Sequence, residues 1–385
     1  MLACSPLGPQ LGDGSGLRRI VSLDGIRGIA VLLVAAFHFG LLPFGWMGVQ
    51  MFFVLSGYLI TAILARERAY PLSFYLKRFY WRRALRIFPL YYAFMGVCAV
   101  LFFVVRRKSL LVFIPLLTYT YNWVKCTTHA YDDSVVDHLW SLAVEEQFYL
   151  VWPVIVYLLP MGVLRALVAA MLIVAPALRV LAAFMMPATE PGVFQYYATV
   201  AQLDAFAAGA AVAVFRFTRL RDARGAFWVW MAVLCAAGAV ESMSAGAQPN
   251  TATLGFPIFM PAKFEFAWGY TLIDIGCALA ILACVRGRPV ARVLEHRVLT
   301  RLGQVSYGFY VFHLPILTAI RGYSRYRTGS PASFGIFAFF TLVTFMVSNA
   351  SYRFFEQIFL RWKDARLTRP LVGRGRHTIE GAAQA

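Results

Sequence analysis

Leu23-Asp24-Gly25-Ile26-Arg27-Gly28-Ile29-Ala30-Val31-Leu32-Leu33-Val34-Ala35-Ala36-Phe37-His38 is an apolar run that opens near an arginine and closes on a histidine eleven positions later. At about 100° per residue, eleven steps make three turns plus roughly 20°. Arg27 and His38 therefore share one helix face, about 16 Å apart along the axis. Ionisable groups inside a membrane helix are costly and by default mark a functional path. A cation near one membrane surface, aligned with a titratable imidazole deeper in, points to chemistry spread across the bilayer.

The rest of the chain repeats the apolar theme. Of its 385 residues, 60% are hydrophobic and 14% charged, and the mean hydropathy is +0.66. Apolar stretches of about 18 residues or more recur along the whole length, which a soluble core does not need. The first twenty residues lack an apolar core and a small-residue cleavage site, so the first membrane helix is expected to serve as its own signal. The six cysteines are scattered and form no CxxC pair, which argues against a zinc site or a disulfide framework. A net charge of +18 would point to nucleic acid in a soluble protein. Here it follows from basic residues collecting in cytoplasmic loops, opposite anionic lipid headgroups.

The fold class expected is an all-α polytopic transmembrane bundle of about ten spanning helices. The spans fall at roughly 24–43, 47–65, 87–105, 140–160, 163–183, 196–215, 226–243, 267–285, 304–320 and 332–353. With both termini cytoplasmic, the inner segments, including 66–86, hold 27 of the 36 lysines and arginines. The outer segments hold 8, and Arg179 lies within a span. Leu110–Trp123 is apolar but short and contains Pro115, so it reads as a re-entrant or interfacial piece. The expected organisation is a cytoplasmic tail at 1–19, a membrane domain at 20–360 and a basic cytoplasmic tail at 361–385.

Five segments carry polar residues in apolar surroundings. They are Arg27 to His38; Gly48-Val49-Gln50 through Ser56-Gly57-Tyr58; Arg82-Arg83-Ala84-Leu85-Arg86; Trp140-Ser141-Leu142-Ala143-Val144-Glu145-Glu146-Gln147-Phe148-Tyr149; and Gly303 through Tyr310-Val311-Phe312-His313-Leu314-Pro315. Ser141, Glu145 and Tyr149 recur at intervals of four and so line one helix face. Arg83 and Arg86 lie three apart on another. His313 and Tyr310 share a face at the same spacing.

Together the segments closely resemble the acyltransferase-3 family of integral membrane O-acyltransferases, from about residue 20 to 360. The family's R-x10-H pattern falls on Arg27 and His38, its RxxR pattern on Arg83 and Arg86, and its serine-glutamate-tyrosine pattern on Ser141, Glu145 and Tyr149. The resemblance implies a cytoplasmic acyl-coenzyme A donor, with acetyl as the acyl group. It also implies a carbohydrate or other hydroxyl acceptor, often at the outer face of the cell membrane. It is to the acyltransferase domain alone, without the esterase-like domain that many members append. Two departures stand out: Gln50 replaces an acidic residue found in many relatives, and Ile358 replaces a proline after Tyr352 and Glu356.

Acyl transfer to a hydroxyl needs a group that removes the hydroxyl proton, and neutral imidazole suits that near pH 7. His38 is therefore the expected catalytic residue, as base or as transient acyl carrier. Arg27 is expected in the donor channel, holding phosphate or a polarised carbonyl. Arg83 and Arg86 are expected to bind the phosphates of the donor. Glu145 would orient the imidazole or bind sugar hydroxyls, while Ser141, Tyr149, Tyr310 and His313 are expected to face substrate. No metal and no nucleic acid is expected. The bland readings are a hydrogen-bonded core histidine, positive-inside anchors, and a pairing of Glu145 with Arg179. Ser56 reads as a packing residue beside Gly57, because it lacks the context of an elbow nucleophile. Lys77, Arg78 and Arg82 read as surface charge. Asp204, Asp274 and Arg179 read as intramembrane charges that pair with one another. The His129 to Asp133 HxxxD pattern reads as chance, and Gly12 to Gly16 is not a nucleotide loop. The rival function is a transporter of a glycan precursor or small solute, which intramembrane charges also suit.

Overall fold

In a computed structural model the structure describes residues 20–102, 104, 113–127, 135–185, 192–215, 217, 223–244, 253–260, 264–286, 292–323 and 331–365. Every regular element among them is helical. The helices are α1 Val21–Phe39, α2 Met47–Glu67, α3 Leu72–Leu101, α4 Ile114–Leu117, α5 Tyr121–Thr127, α6 Trp140–Leu158, α7 Met161–Met185, α8 Val193–Tyr197, α9 Leu203–Val214, α10 Ala223–Ser244, α11 Glu265–Arg286, α12 Arg297–Gln304, α13 Ser306–Tyr323, α14 Pro331–Ser351 and α15 Gln357–Ala365. The expected tail at 1–19, the part of the expected tail at 361–385 that follows residue 365, and the His129 to Asp133 and Gly12 to Gly16 patterns lie outside the described residues, while residues 361–365 of that tail belong to α15.

Among the described residues, seven helices are long and apolar enough to cross a membrane: α1, α2, α3, α7, α10, α11 and the run Ala332–Trp362 that joins α14 to α15. They fall on seven of the ten expected spans. The remaining three expected spans are occupied by α6, by the shorter apolar run Thr199–Val214 and by α13. α6 and α13 are less apolar because they carry the polar side chains described below. The protein is an all-α polytopic bundle. The stretch at 110–123 meets α4 and α5, and helices of 4 and 7 residues are too short to span.

One boundary changes the reading of the charges. The expected cytoplasmic segment 66–86 is mostly helix, because α3 begins at Leu72 and runs through Pro89 for 30 residues. No breaker stands between Leu72 and Arg86, so the arginines continue the helix. Arg78 is not surface charge: its Nε lies 3.0 Å from Glu67 Oε1, and Arg82 Nη1 lies 3.9 Å from the same oxygen.

Two close approaches set the frame. α2 crosses α9 at Gly57, where a Cβ would stand 2.1 Å from the Phe206 carbonyl oxygen. α1 lies against α12 at Gly28, where a Cβ would stand 2.3 Å from the Leu299 carbonyl oxygen. Small residues let membrane helices pack backbone to backbone. The sequence expectation for Ser56-Gly57 thus holds at Gly57. α1 ends just after His38, where Gly40 at φ 93° donates its N–H to the Ala36 and Phe37 carbonyls. Across the core, Phe148 stacks on Phe206 at 4.1 Å between ring centroids.

Arg179 and Asp204, both fully buried, form a bidentate pair at 2.7 and 3.1 Å. Thr271 Oγ1 donates to Asp204 Oδ2 at 2.5 Å. Asp274 is not part of that pair, and neither of its oxygens has a hydrogen-bond partner among the described residues. The expected three-way pairing is therefore a two-way one.

Overpacking a tight helix contact costs about 1–3 kcal/mol or more. Gly57→Val should lower the melting temperature in detergent, whereas Gly96→Ala should not, because nothing lies within 4 Å of that position. Equal thermal stability of the two variants would show that the α2–α9 contact is looser than described.

Candidate active site

Five helices converge on one cavity of about 820 Å³, counted to its mouth. α1 contributes Arg27, α2 contributes Ser56, α3 contributes Arg83 and Arg86, α6 contributes Ser141, Glu145, Glu146 and Tyr149, and α13 contributes Ser306, Tyr307 and Tyr310. Apolar side chains such as Phe52, Leu55 and Leu59 complete the wall.

The spacing of four on α6 sets the long axis. Ser141 to Tyr149 is eight residues, or about 12 Å along a helix. Arg83 lies over the Tyr149 ring at 5.0 Å, so the arginines gather at the Tyr149 level. Each of Arg27 and Arg83 feels the positive charge of Arg86. Arg27 Nη1 also stands 3.8 Å from Asp24 Oδ1, one turn earlier on its own helix. At the opposite level, the Ser141 and Tyr310 hydroxyls meet at 2.5 Å. Tyr310 donates to the His138 carbonyl at 2.8 Å.

Between these levels sits Glu145. A carboxylate half-buried in an apolar bundle needs hydrogen-bond donors. The Ser56 hydroxyl donates to Glu145 Oε1 at 2.7 Å and lies 2.8 Å from the Tyr149 hydroxyl. Arg179 is engaged elsewhere, so the expected alternative pairing of Glu145 with Arg179 is not formed.

The structure thus brings Arg27, Arg83, Arg86, Ser141, Glu145, Tyr149 and Tyr310 to one cavity. His38 and His313 are not among its lining residues. Beyond Tyr310, the His38 ring is 5.0 Å from the His313 ring. His38 is half-buried and His313 is buried. His38 Nδ1 lies 3.0 Å from the Val34 carbonyl and 3.2 Å from His313 Nε2. It is therefore His313, not Glu145, that meets the imidazole. The Arg321 guanidinium donates to the His38 carbonyl at 2.6 Å.

Two residues escaped the sequence reading. Ser56 belongs to the cavity as well as to the packing seam, and its link to Glu145 spans 89 positions with no local signal. His138, 2% exposed, packs its ring 4.8 Å from His313. Its position three residues before Ser141 was the available clue. Among the described residues, no group of three or more His, Cys, Asp or Glu is arranged to hold a metal ion. Gln50 is buried away from the cavity lining, and its amide donates to Gln202 Oε1 at 3.0 Å. Where relatives carry a proline, Ile358 is the second residue of α15, directly after a π-helical turn at Tyr352–Glu356.

A bundle of long apolar helices, with arginines lining a cavity among them, is an integral membrane protein. The family model for an acyltransferase domain matches residues 20–350, and the chain belongs to the acyltransferase-3 family. It is a multi-pass protein of the cell membrane. The chain is similar to Peptidoglycan O-acetyltransferase OatA of Listeria monocytogenes serovar 1/2a, at 30% identity over 326 residues, or 78% of this chain and 49% of the relative. It is similar to O-acetyltransferase OatA of Staphylococcus aureus (strain NCTC 8325 / PS 47), at 28% identity over 360 residues, or 88% of this chain and 57% of the relative. The chain spans about half the length of these curated relatives. No solved structure matches it.

Removing a hydrogen bond to a charged group costs about 1.5–3 kcal/mol. Ser56→Ala should therefore lower the melting temperature in detergent by a few degrees. An unchanged melting temperature would show that Glu145 does not depend on Ser56.

Proposed function

We propose that this chain is a membrane O-acyltransferase that moves an acetyl group from cytoplasmic acyl-coenzyme A to a hydroxyl of a glycan at the outer face. The observation that carries the reading is the cavity itself. Arginines crowd one level of it, a pair of hydroxyls stands about 12 Å further along α6, and a carboxylate lies between them. The donor is phosphate at one end and a thioester at the other, and the cavity offers arginines at one level and hydroxyls at another. Guanidinium forks suit phosphate. Arg83 and Arg86 bind the donor's phosphates, and Arg27 beside them neutralises further donor charge.

In the transfer, the acceptor oxygen bonds to the acyl carbon and gives its proton to His38. The carbon–sulfur bond then breaks, and the proton passes to the departing thiolate. Ser141 and Tyr310 hold the acyl end, and Tyr149 and Glu145 fix the arm and the acceptor. His38 lies beyond Tyr310 and is half-buried, which suits a residue that meets an acceptor arriving from outside. The relatives' names support the acetyl group, and that of the Listeria protein supports a peptidoglycan-type acceptor. Ten crossings with both termini cytoplasmic, and residues 20–360 forming the membrane domain, put the arginines on the donor side.

Purified protein should release thiol from labelled acetyl-coenzyme A and label an N-acetylglucosamine oligomer. Loss of a general base costs about 10²–10⁴ in rate. His38→Ala should therefore fall at least about a hundredfold. Arg83→Gln and Arg86→Gln should each raise KM for acetyl-coenzyme A about tenfold with kcat little changed. Full labelling by His38→Ala would overturn the mechanism. Oligomer flux across vesicles without thiol release would identify a transporter instead.

A further inference from the structure

The hydrogen bonds around His38 contain more than its location. His313 Nδ1 stands 2.5 Å from the Tyr310 carbonyl oxygen. His38 Nδ1 stands 3.0 Å from the Val34 carbonyl oxygen. A carbonyl only accepts, so each Nδ1 carries the hydrogen. In a neutral ring the other nitrogen then holds the lone pair. His313 Nε2 therefore presents a lone pair, and it does so 3.2 Å from the His38 Nδ1–H. The opposite assignment would either charge His313 in a site where it is 1% exposed or aim two lone pairs at one another.

We propose that His313 is a positioning residue for His38, and that His38 works as a base through Nε2 alone. The inference rests on the catalytic role of His38 proposed above. It departs from the expectation that His313 touches substrate. Val34 and His313 share the Nδ1–H, which fixes both the tautomer and the tilt of the ring. Nε2 is the nitrogen left to take the hydroxyl proton. When it does, His38 becomes an imidazolium, and its bond to His313 Nε2 becomes charge-assisted and stronger. The stabilisation thus appears as the acceptor is deprotonated and not before, which is the requirement for speeding the step. A neutral imidazole fills here the place that a carboxylate fills in a hydrolase triad, without adding a buried negative charge.

The surroundings hold His313 to that task. Its Nδ1 is tied to the Tyr310 carbonyl on its own helix. The His138 ring packs edge-on against it at 4.8 Å and against the Tyr310 ring at 5.1 Å. The same Tyr310 closes the cavity with its hydroxyl. One residue therefore couples the acyl end of the cavity to the orientation of the base.

The test uses the full-length protein in detergent, with acetyl-coenzyme A as donor probe and an N-acetylglucosamine oligomer as acceptor probe. His313→Leu removes the accepting nitrogen. His313→Gln restores an acceptor, because its side-chain oxygen reaches the place of Nε2. His313→Leu should lose about tenfold to a hundredfold in kcat, the worth of a charge-assisted hydrogen bond, with KM for acetyl-coenzyme A within about twofold. His313→Gln should recover to within about fivefold of wild type. Coenzyme A binding and thermal stability of both variants are measured alongside, so that a fold defect is seen directly. Wild-type kcat in His313→Leu, or equal losses in Leu and Gln, would overturn the proposal while His38→Ala stays inactive. Activity in His38→Ala would instead remove the parent reading.

Discussion

The Ser141–Tyr310 hydrogen bond joins two helices that are 169 positions apart in the chain, and the site depends on it. Both hydroxyls sit in an apolar bundle where an unpaired polar group is costly, and both also reach the His138 carbonyl, so three polar groups satisfy one another. The bond brings the first turn of α6 against the second turn of α13. From α6 follow Glu145 and Tyr149 at successive turns, facing the arginines. From α13 follows His313, one turn beyond Tyr310. The cavity and the imidazole pair are therefore two sides of one contact.

A second constraint works across the bundle. α1 must lie close to α12, and α2 close to α9, for Arg27 and Ser56 to reach the cavity. Both approaches are made at glycine, where a side chain would strike backbone. The Arg179–Asp204 pair shows the same economy of charge away from the cavity: the guanidinium also donates to the Ala201 and Ala267 carbonyls. Breaking a buried pair by removing one partner is strongly destabilising, which makes it a structural anchor and not a second site.

Much of the site was readable from spacing. The interval of four on α6 and of three on α3 predicted shared faces, and those faces line the cavity. The α1 pattern was read correctly as one face, but a face is not a lumen. Eleven residues carry His38 three turns past Arg27, where it meets His313 from another helix and not the cavity that Arg27 lines. Periodicity within one helix contains no information about what a distant helix inserts. The same limit hid the Ser56–Glu145 bond and the ring of His138 against His313. α3 extends well before the expected span at 87–105, because nothing in the residues from Leu72 onward breaks a helix. α6 and α13 fall short of membrane-like hydropathy for the reason that makes them informative: they carry the polar groups.

The central claim is that the cavity is the donor site, with phosphates at the arginines and the thiol end at the paired hydroxyls. Determining the structure of the protein bound to coenzyme A tests it most directly. The account predicts phosphate density against Arg83 and Arg86, and the sulfur beside Ser141 and Tyr310. Coenzyme A bound at another surface, or bound in the cavity with its phosphates at the Ser141 level, would contradict it.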